Sequence, residues 1–182
     1  MKSLKIFGLF TLLFLGAMNL SAQVDVTLNP INALWGKYSL GADITLTDNL
    51  SVEPTISYLS LGEDDGKYTG VPANLFLKYY FNPNNGADRF YADVWLRYVN
   101  RKFEYNAENQ DIYSDVTQTR FGVGFGVGYK VVSKGGFVFD IGFGTGRAIV
   151  DNNKYLNDEL QREDFDWPDI MFAGKLGIGY RF

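Results

Sequence analysis

The sequence has no cysteine and no histidine among its 182 residues. The first absence excludes disulfides and thiolate chemistry, and the second removes the commonest metal ligand and general base together. Proline is sparse at 5 residues, and no run after residue 22 comes near the roughly 18 consecutive apolar residues that mark a spanning helix. If this chain enters a membrane it must do so as a closed sheet, because only helices and closed barrels satisfy their backbone groups in lipid. Positive charge is also short: 17 Lys plus Arg face 21 Asp plus Glu, which argues against nucleic acid as a partner.

What is present begins with the plan of a cleaved secretory signal over residues 1–22. Lys2 and Lys5 precede the apolar run Ile6 to Ala17, and Ser21-Ala22 precede Gln23. That run is too short to span a membrane comfortably. Leu20 is bulky for its place before the cleavage point, and no cysteine offers a lipoprotein anchor. An uncleaved anchor is the competing reading, but no charged stop-transfer flank follows. Residues 23–182 then form one domain. Lys2 and Lys5 leave with the signal, so 15 of the 17 basic residues face all 21 acidic ones, a net charge of −6.

Aromatics at 16% and 20 glycines exceed ordinary usage, and they alternate along the chain as barrel walls do. Period-two alternation between turn residues predicts eight strands, at 24–28, 38–46, 50–61, 71–81, 89–104, 116–132, 137–150 and 169–182. The expected fold is all-β: an antiparallel, eight-stranded, up-and-down transmembrane β-barrel. Short turns at 47–49, 82–86 and 133–136 fall at one end, and the acidic segments 62–67, 105–115 and 151–168 at the other, with 29–35 as a further loop. The first strand is short against the roughly 9–11 residues of a spanning strand. Pro54 removes a ladder donor inside a strand, so a bulge is expected near Glu53.

One face of these strands is apolar, with Leu40, Ile56, Leu75, Leu96, Val127, Ile141 and Ile178 among its members. Tyr79, Phe81, Phe90, Tyr129, Phe137, Tyr180 and Phe182 lie toward the turn end of that face, and Tyr38, Tyr58, Tyr98, Phe121 and Phe172 toward the loop end. Two aromatic levels suit two lipid headgroup zones. Arg147 interrupts the apolar face, and is expected at the outer rim or beyond a bulge, near lipopolysaccharide phosphate. The opposite face carries Asp43, Glu53, Asp93 and Asp140 among Lys78, Arg97, Arg120, Lys130, Lys175 and Arg181. Eight strands enclose a space that side chains fill, so these ten residues are expected to interlock as a plug near the turn end. A proton or ion path is the alternative.

Gly122, Gly124, Gly126 and Gly128 alternate with apolar residues, and Gly142, Gly144 and Gly146 repeat the device. This is not the dinucleotide spacing. Missing side chains there are expected to make room for Tyr91, Trp95, Arg120 and Lys130, with a ligand cavity as the less favoured reading. Glu63-Asp64-Asp65 and Asp151-Asn152-Asn153 cluster hard oxygens suited to Ca²⁺, but neither has EF-hand spacing, and solvated loops are the plainer reading. Residues 154–164 allow either a helical turn over the mouth or a flexible loop. No metal site and no cofactor is expected.

The last strand carries Lys175, Gly177, Tyr180 and Phe182, which resembles the C-terminal signal by which bacterial outer-membrane barrels are recognised for insertion. With the length of the chain, this makes it similar to the small eight-stranded barrels of the OmpX and OmpA membrane-domain kind. The resemblance implies an outer-membrane location with both termini periplasmic, and as partners outer-membrane lipid, lipopolysaccharide and the barrel insertion machinery. Outer-membrane enzymes of this general shape depend on a histidine, so no enzymatic activity is expected. Two functions stay open: an autonomous barrel acting in surface binding or envelope integrity, whose strands near Lys102 and Gln118 show polar residues above the lipid, or an accessory subunit of a larger outer-membrane complex. A soluble calycin-like barrel binding a small hydrophobic ligand is the alternative outside the membrane, and it requires apolar residues inside.

Overall fold

Alternating residues with β-branched or aromatic members every second place favour extended chain, and neighbouring extended segments joined by tight turns pair antiparallel. In the computed structural model, which describes residues 23–34, 36–63, 66–105, 115–156 and 168–182, eight strands and one short helix follow from this pattern. They are β1 (Val24–Leu28), α1 (Pro30–Leu34), β2 (Lys37–Thr47), β3 (Leu50–Glu63), β4 (Gly66–Tyr80), β5 (Arg89–Tyr105), β6 (Val116–Val132), β7 (Phe137–Tyr155) and β8 (Ile170–Arg181). Each strand pairs with the next, and β1 pairs with β8, so the sheet is a closed up-and-down barrel. The expected signal at 1–22, the acidic pair at 64–65, the segment 106–114 and the stretch 157–167 lie outside the described residues.

Several boundaries differ from the sequence reading. Segment 29–35 contains α1, whose entry is capped where the Asn32 amide donates to the Asn29 side-chain oxygen at 3.0 Å. Segment 62–67 is largely strand: β3 and β4 pair as far as Glu63↔Gly66. Asp151, Asn152 and Asn153 belong to β7 and pair with β6, so they form no calcium loop, and Lys154 and Tyr155 are strand rather than helix.

Pro54 causes no bulge. The β2–β3 register runs through Gly41↔Thr55 to Ile44↔Val52 without a shift, with a gap in the pairing opposite Pro54 and Glu53. The proline's missing N–H faces β2, and β4 keeps continuous register with Pro54 on its other side. The irregularities fall elsewhere, between Thr45 and Thr47 of β2, and at Ile149 of β7, which is the extra residue where Phe121↔Val150 is followed by Gly122↔Ala148. An extra residue inverts the faces beyond it. Arg147 therefore stays outward, 76% exposed and 2.9 Å from Asp169, while Asp151 turns inward to Arg120.

The two faces differ along their length. On β5, Phe90, Val94, Leu96 and Tyr98 point outward and are exposed, an apolar stretch of roughly 26 Å at about 3.3 Å per residue. Above Tyr98 the outward residues become Asn100, Lys102 and Glu104, and the inward ones run through Val99 and Arg101 to Phe103 and Tyr105. Those two rings form a buried cluster with Val116, against which Tyr68 and Tyr155 pack. Polarity thus inverts part-way along the same strands. Gln118 is inward and only 4% exposed, contrary to the outward place expected for it, whereas Lys102 pairs at the surface with Glu104 at 2.7 Å.

The glycine rows of β6 and β7 are covered by side chains of the strands beside them: Tyr91, Asp93 and Trp95 of β5 pair directly with Gly128, Gly126 and Gly124, and Met171 of β8 pairs with Gly146. A Cβ at Gly124 or Gly146 would collide with the Trp95 ring, at Gly128 or Gly142 with Tyr91, at Gly126 with Asp93, and at Gly122 with Met171. Tyr91 and Trp95 take the room expected for them; Arg120 and Lys130 do not, and Asp93 and Met171 stand there instead. Gly124→Ala is expected to lower the melting temperature in detergent, with an overpacking cost of about 1–3 kcal/mol. Gly174→Ala, where a Cβ meets nothing within 4 Å, is expected to leave it unchanged in the same scan.

Candidate functional site

The inward charges meet near the turn end of the barrel. Lys78 of β4 places its Nζ 3.0 Å from Asp43, 2.5 Å from Glu53 and 3.0 Å from Asp140. Lys130 of β6 reaches across the lumen to Asp25 at 2.7 Å and Asp43 at 2.9 Å. Lys175 of β8 lies 2.5 Å from both Glu53 and Asp140. Arg181 grips Asp25 with two nitrogens, at 2.5 and 2.8 Å, and donates further to the carbonyls of Asn85 and Ala87 in the β4–β5 turn. Four carboxylates therefore face four cations: Asp25, Asp43, Glu53 and Asp140 against Lys78, Lys130, Lys175 and Arg181.

Two tyrosines complete the set. Tyr80 donates to Asp43 at 3.0 Å and Tyr91 to Asp140 at 2.8 Å. Their rings lie 5.2 Å apart, with the Lys78 ammonium over Tyr91 at 4.6 Å and that of Lys130 over Tyr80 at 4.9 Å. Through Tyr91, β5 joins the network, so all eight strands contribute to it.

Asp43, Glu53 and Asp140 bring carboxylate oxygens within 4.8 Å of one another, the arrangement that a hard cation selects. The Lys78 ammonium stands among them. The positive charge that this triad calls for is thus supplied by the chain, and the spaces left nearby are small. One cavity of about 20 Å³ lies beside Asp93 and one of about 50 Å³ lies above Glu53, enough for about one water and a few waters respectively. An interlocked fill accounts for this geometry better than a continuous aqueous path.

Of the ten expected members, Asp43, Glu53, Lys78, Lys130, Asp140, Lys175 and Arg181 come together. Asp93 is 9% exposed, with Oδ1 lacking a hydrogen-bond partner, and no cation among the described residues pairs with it. Arg97 donates to the Asn74 side chain at 2.6 Å and the Phe172 carbonyl at 2.7 Å. Arg120 belongs to a separate group at the loop end, 2.9 Å from Asp151, which also accepts from Gln118 at 2.7 Å. Sequence reasoning missed Asp25 and Tyr80. Parity was the available signal, since Asp25 alternates with Val24 and Val26, and Tyr80 follows the outward Tyr79.

The four residues of the expected insertion signal sort by face. Lys175 joins the charge network, and Gly177 lies beside Asp140 and Thr27. Tyr180 and Phe182 point outward and meet edge to face at 5.2 Å.

A family model described as a protein of unknown function, DUF3575, matches residues 8–178. The chain belongs to that family. No curated protein matches it. The expected likeness to OmpX and the OmpA membrane domain holds at the level of an eight-stranded all-β architecture, while the matching family is DUF3575.

In this DUF3575 barrel, removing one cation leaves several carboxylates buried without their counter-charge. Lys78→Met is expected to destabilise the fold by about 3–5 kcal/mol. Asp93→Asn, which breaks no ion pair, is expected to change stability little. Equilibrium unfolding of both variants in the same detergent checks the contrast, and equal effects would show that the network is not the feature holding the walls.

Proposed function

We propose that the protein is an integral outer-membrane β-barrel without enzymatic activity, its lumen closed by the charge network, acting at the cell surface in binding or envelope integrity. The polarity inversion along β4 to β7 carries this reading. Below the level of Tyr98 the chain buries charge and exposes apolar side chains. Above it the same strands turn Asn100, Lys102 and Glu104 outward, and their interior passes from the Arg120–Asp151 pair to the buried cluster of Phe103, Tyr105 and Val116. A sheet wholly in water has no reason to change sign midway, whereas one leaving an apolar layer must. The nine residues from Phe90 to Tyr98 also match the roughly 9–11 residues of a tilted spanning strand. A calycin-like barrel requires the reverse arrangement in its lower half.

The surface role draws on the upper strands. β7 has 19 residues and β5 and β6 have 17 each, against 12 for β8, so one side of the barrel rises well past the aromatic level of Tyr38, Tyr58 and Tyr98. No helix among the described residues is long and apolar enough to cross a membrane, so insertion would rest on the strands alone.

Cell fractionation tests the reading. The protein is expected in the outer-membrane fraction, resisting salt and alkaline wash and released by mild detergent as one small species on a native gel. Recovery from the soluble periplasm would overturn the membrane reading. A large complex of fixed stoichiometry would replace the autonomous role with that of an accessory subunit.

A further inference from the structure

Above the charge network the lumen widens into a polar cavity of about 50 Å³. Its charged lining is Lys37 of β2, Arg97 of β5, Lys175 of β8 and a single carboxylate, Glu53. Glu53 is already taken: Lys175 lies 2.5 Å from both of its oxygens, and Lys78 lies 2.5 Å from Oε2. Lys37 has no hydrogen bond or ion pair among the described residues. Arg97 spends Nε on Asn74 and Nη1 on a backbone carbonyl, leaving Nη2 without a hydrogen-bond partner among the described residues. Two positive charges therefore share a confined space with no free anion among the described residues between them, an arrangement that repels itself and is relieved by a bound anion.

The rest of the lining suits such a guest. Ser39 and Ser57 join their hydroxyls at 2.9 Å; one donates to the other, and the remaining hydrogen of the pair is free to turn toward an acceptor. Asn74 holds Arg97 in place while donating to Thr55 at 2.8 Å. Asn32 of α1 closes one side, where its amide meets Ser39 at 3.4 Å. The cavity holds a few water-sized groups, about the number of heavy atoms in a small oxyanion.

We propose that this cavity is a binding site for a small oxyanion of the inorganic phosphate type, held between Lys37 and Arg97 with the serine pair as neutral donors. The site lies inside the ring and does not depend on what surrounds the barrel. A guest there would couple β2, β3, β5 and α1, elements that the charge network below joins only in part.

The test is a titration of the full-length protein, folded in mild detergent, with sodium phosphate at ionic strength held constant by sodium chloride. A saturable rise in melting temperature is expected for the wild type, with broadening of the phosphate ³¹P resonance on adding protein. Lys37→Gln removes no hydrogen bond or ion pair among the described residues, so its melting temperature without phosphate is expected to equal or exceed that of the wild type. Its apparent affinity for phosphate is expected to fall by about tenfold or more, as for loss of one charge-assisted contact. No response in the wild type, an equal response to chloride alone, or an undiminished response in Lys37→Gln would each overturn the proposal.

Discussion

Eight strands closed into a ring leave an interior no wider than the side chains that fill it, and in this protein the fill is ionic. Every cation of the network but Arg181 bridges at least two carboxylates, and these come from different walls. Taking ions out of water costs several kcal/mol for each, so such a network is weak evidence of net stability. Its stronger effect is on register. A one-residue slip of any strand turns its charge to the outer face and strands the partners left inside. Asp25 and Asp43 face each other directly across β1 and β2, a repulsive pairing on its own, and Lys130 makes it tolerable by lying between them.

The outside follows from the inside. With charge committed to the lumen, alternation leaves the outer face of β5 apolar as far as Tyr98. Above that level the outer face turns polar, and the lumen passes from the Arg120–Asp151 pair to the apolar cluster around Phe103 and Tyr105. The glycine rows of β6 and β7 serve the same economy of space, since large side chains from the adjacent β5, Tyr91 and Trp95, lie over them where a Cβ would stand. Membership of a family of unknown function gives no activity to set beside this frame, so functional inference has to start from what the lumen leaves unpaired and from what the upper strands display.

Much of this frame was legible from parity. The eight strands, their order and most of the inward charges follow from counting alternate residues back from the turns. The failures have a common cause, because the count assumes that polar means inward for the whole length of a strand. Above Tyr98 polar residues stand on both faces, so that Asp151, Asn152 and Asn153 read as loop and Gln118 as outward. The extra residue Ile149 then shifts the phase again, and no composition signal announces it. Asp25 was overlooked because β1 has only five residues, although its place beside Val24 and Val26 was plain. Asp93 and Arg97 show another limit. Sharing the inward face places two charges in one lumen, but level and reach decide whether they touch, and those depend on strand stagger.

The β1–β8 seam has a consequence in time. It rests on four residue pairs, from Asp25↔Arg181 to Leu28↔Ile178, and its ion pair joins positions separated by 156 residues. Each of the other seams joins strands that are neighbours in sequence and can zip from a local turn. This one has no turn to start from and bears the full loop-closure entropy of the chain between its halves. It is therefore expected to form last, so that the charge at Asp25 waits on the arrival of Arg181. Until then the barrel is an open sheet with two unpaired edges, a half-built wall whose keystone is carried by its own far end.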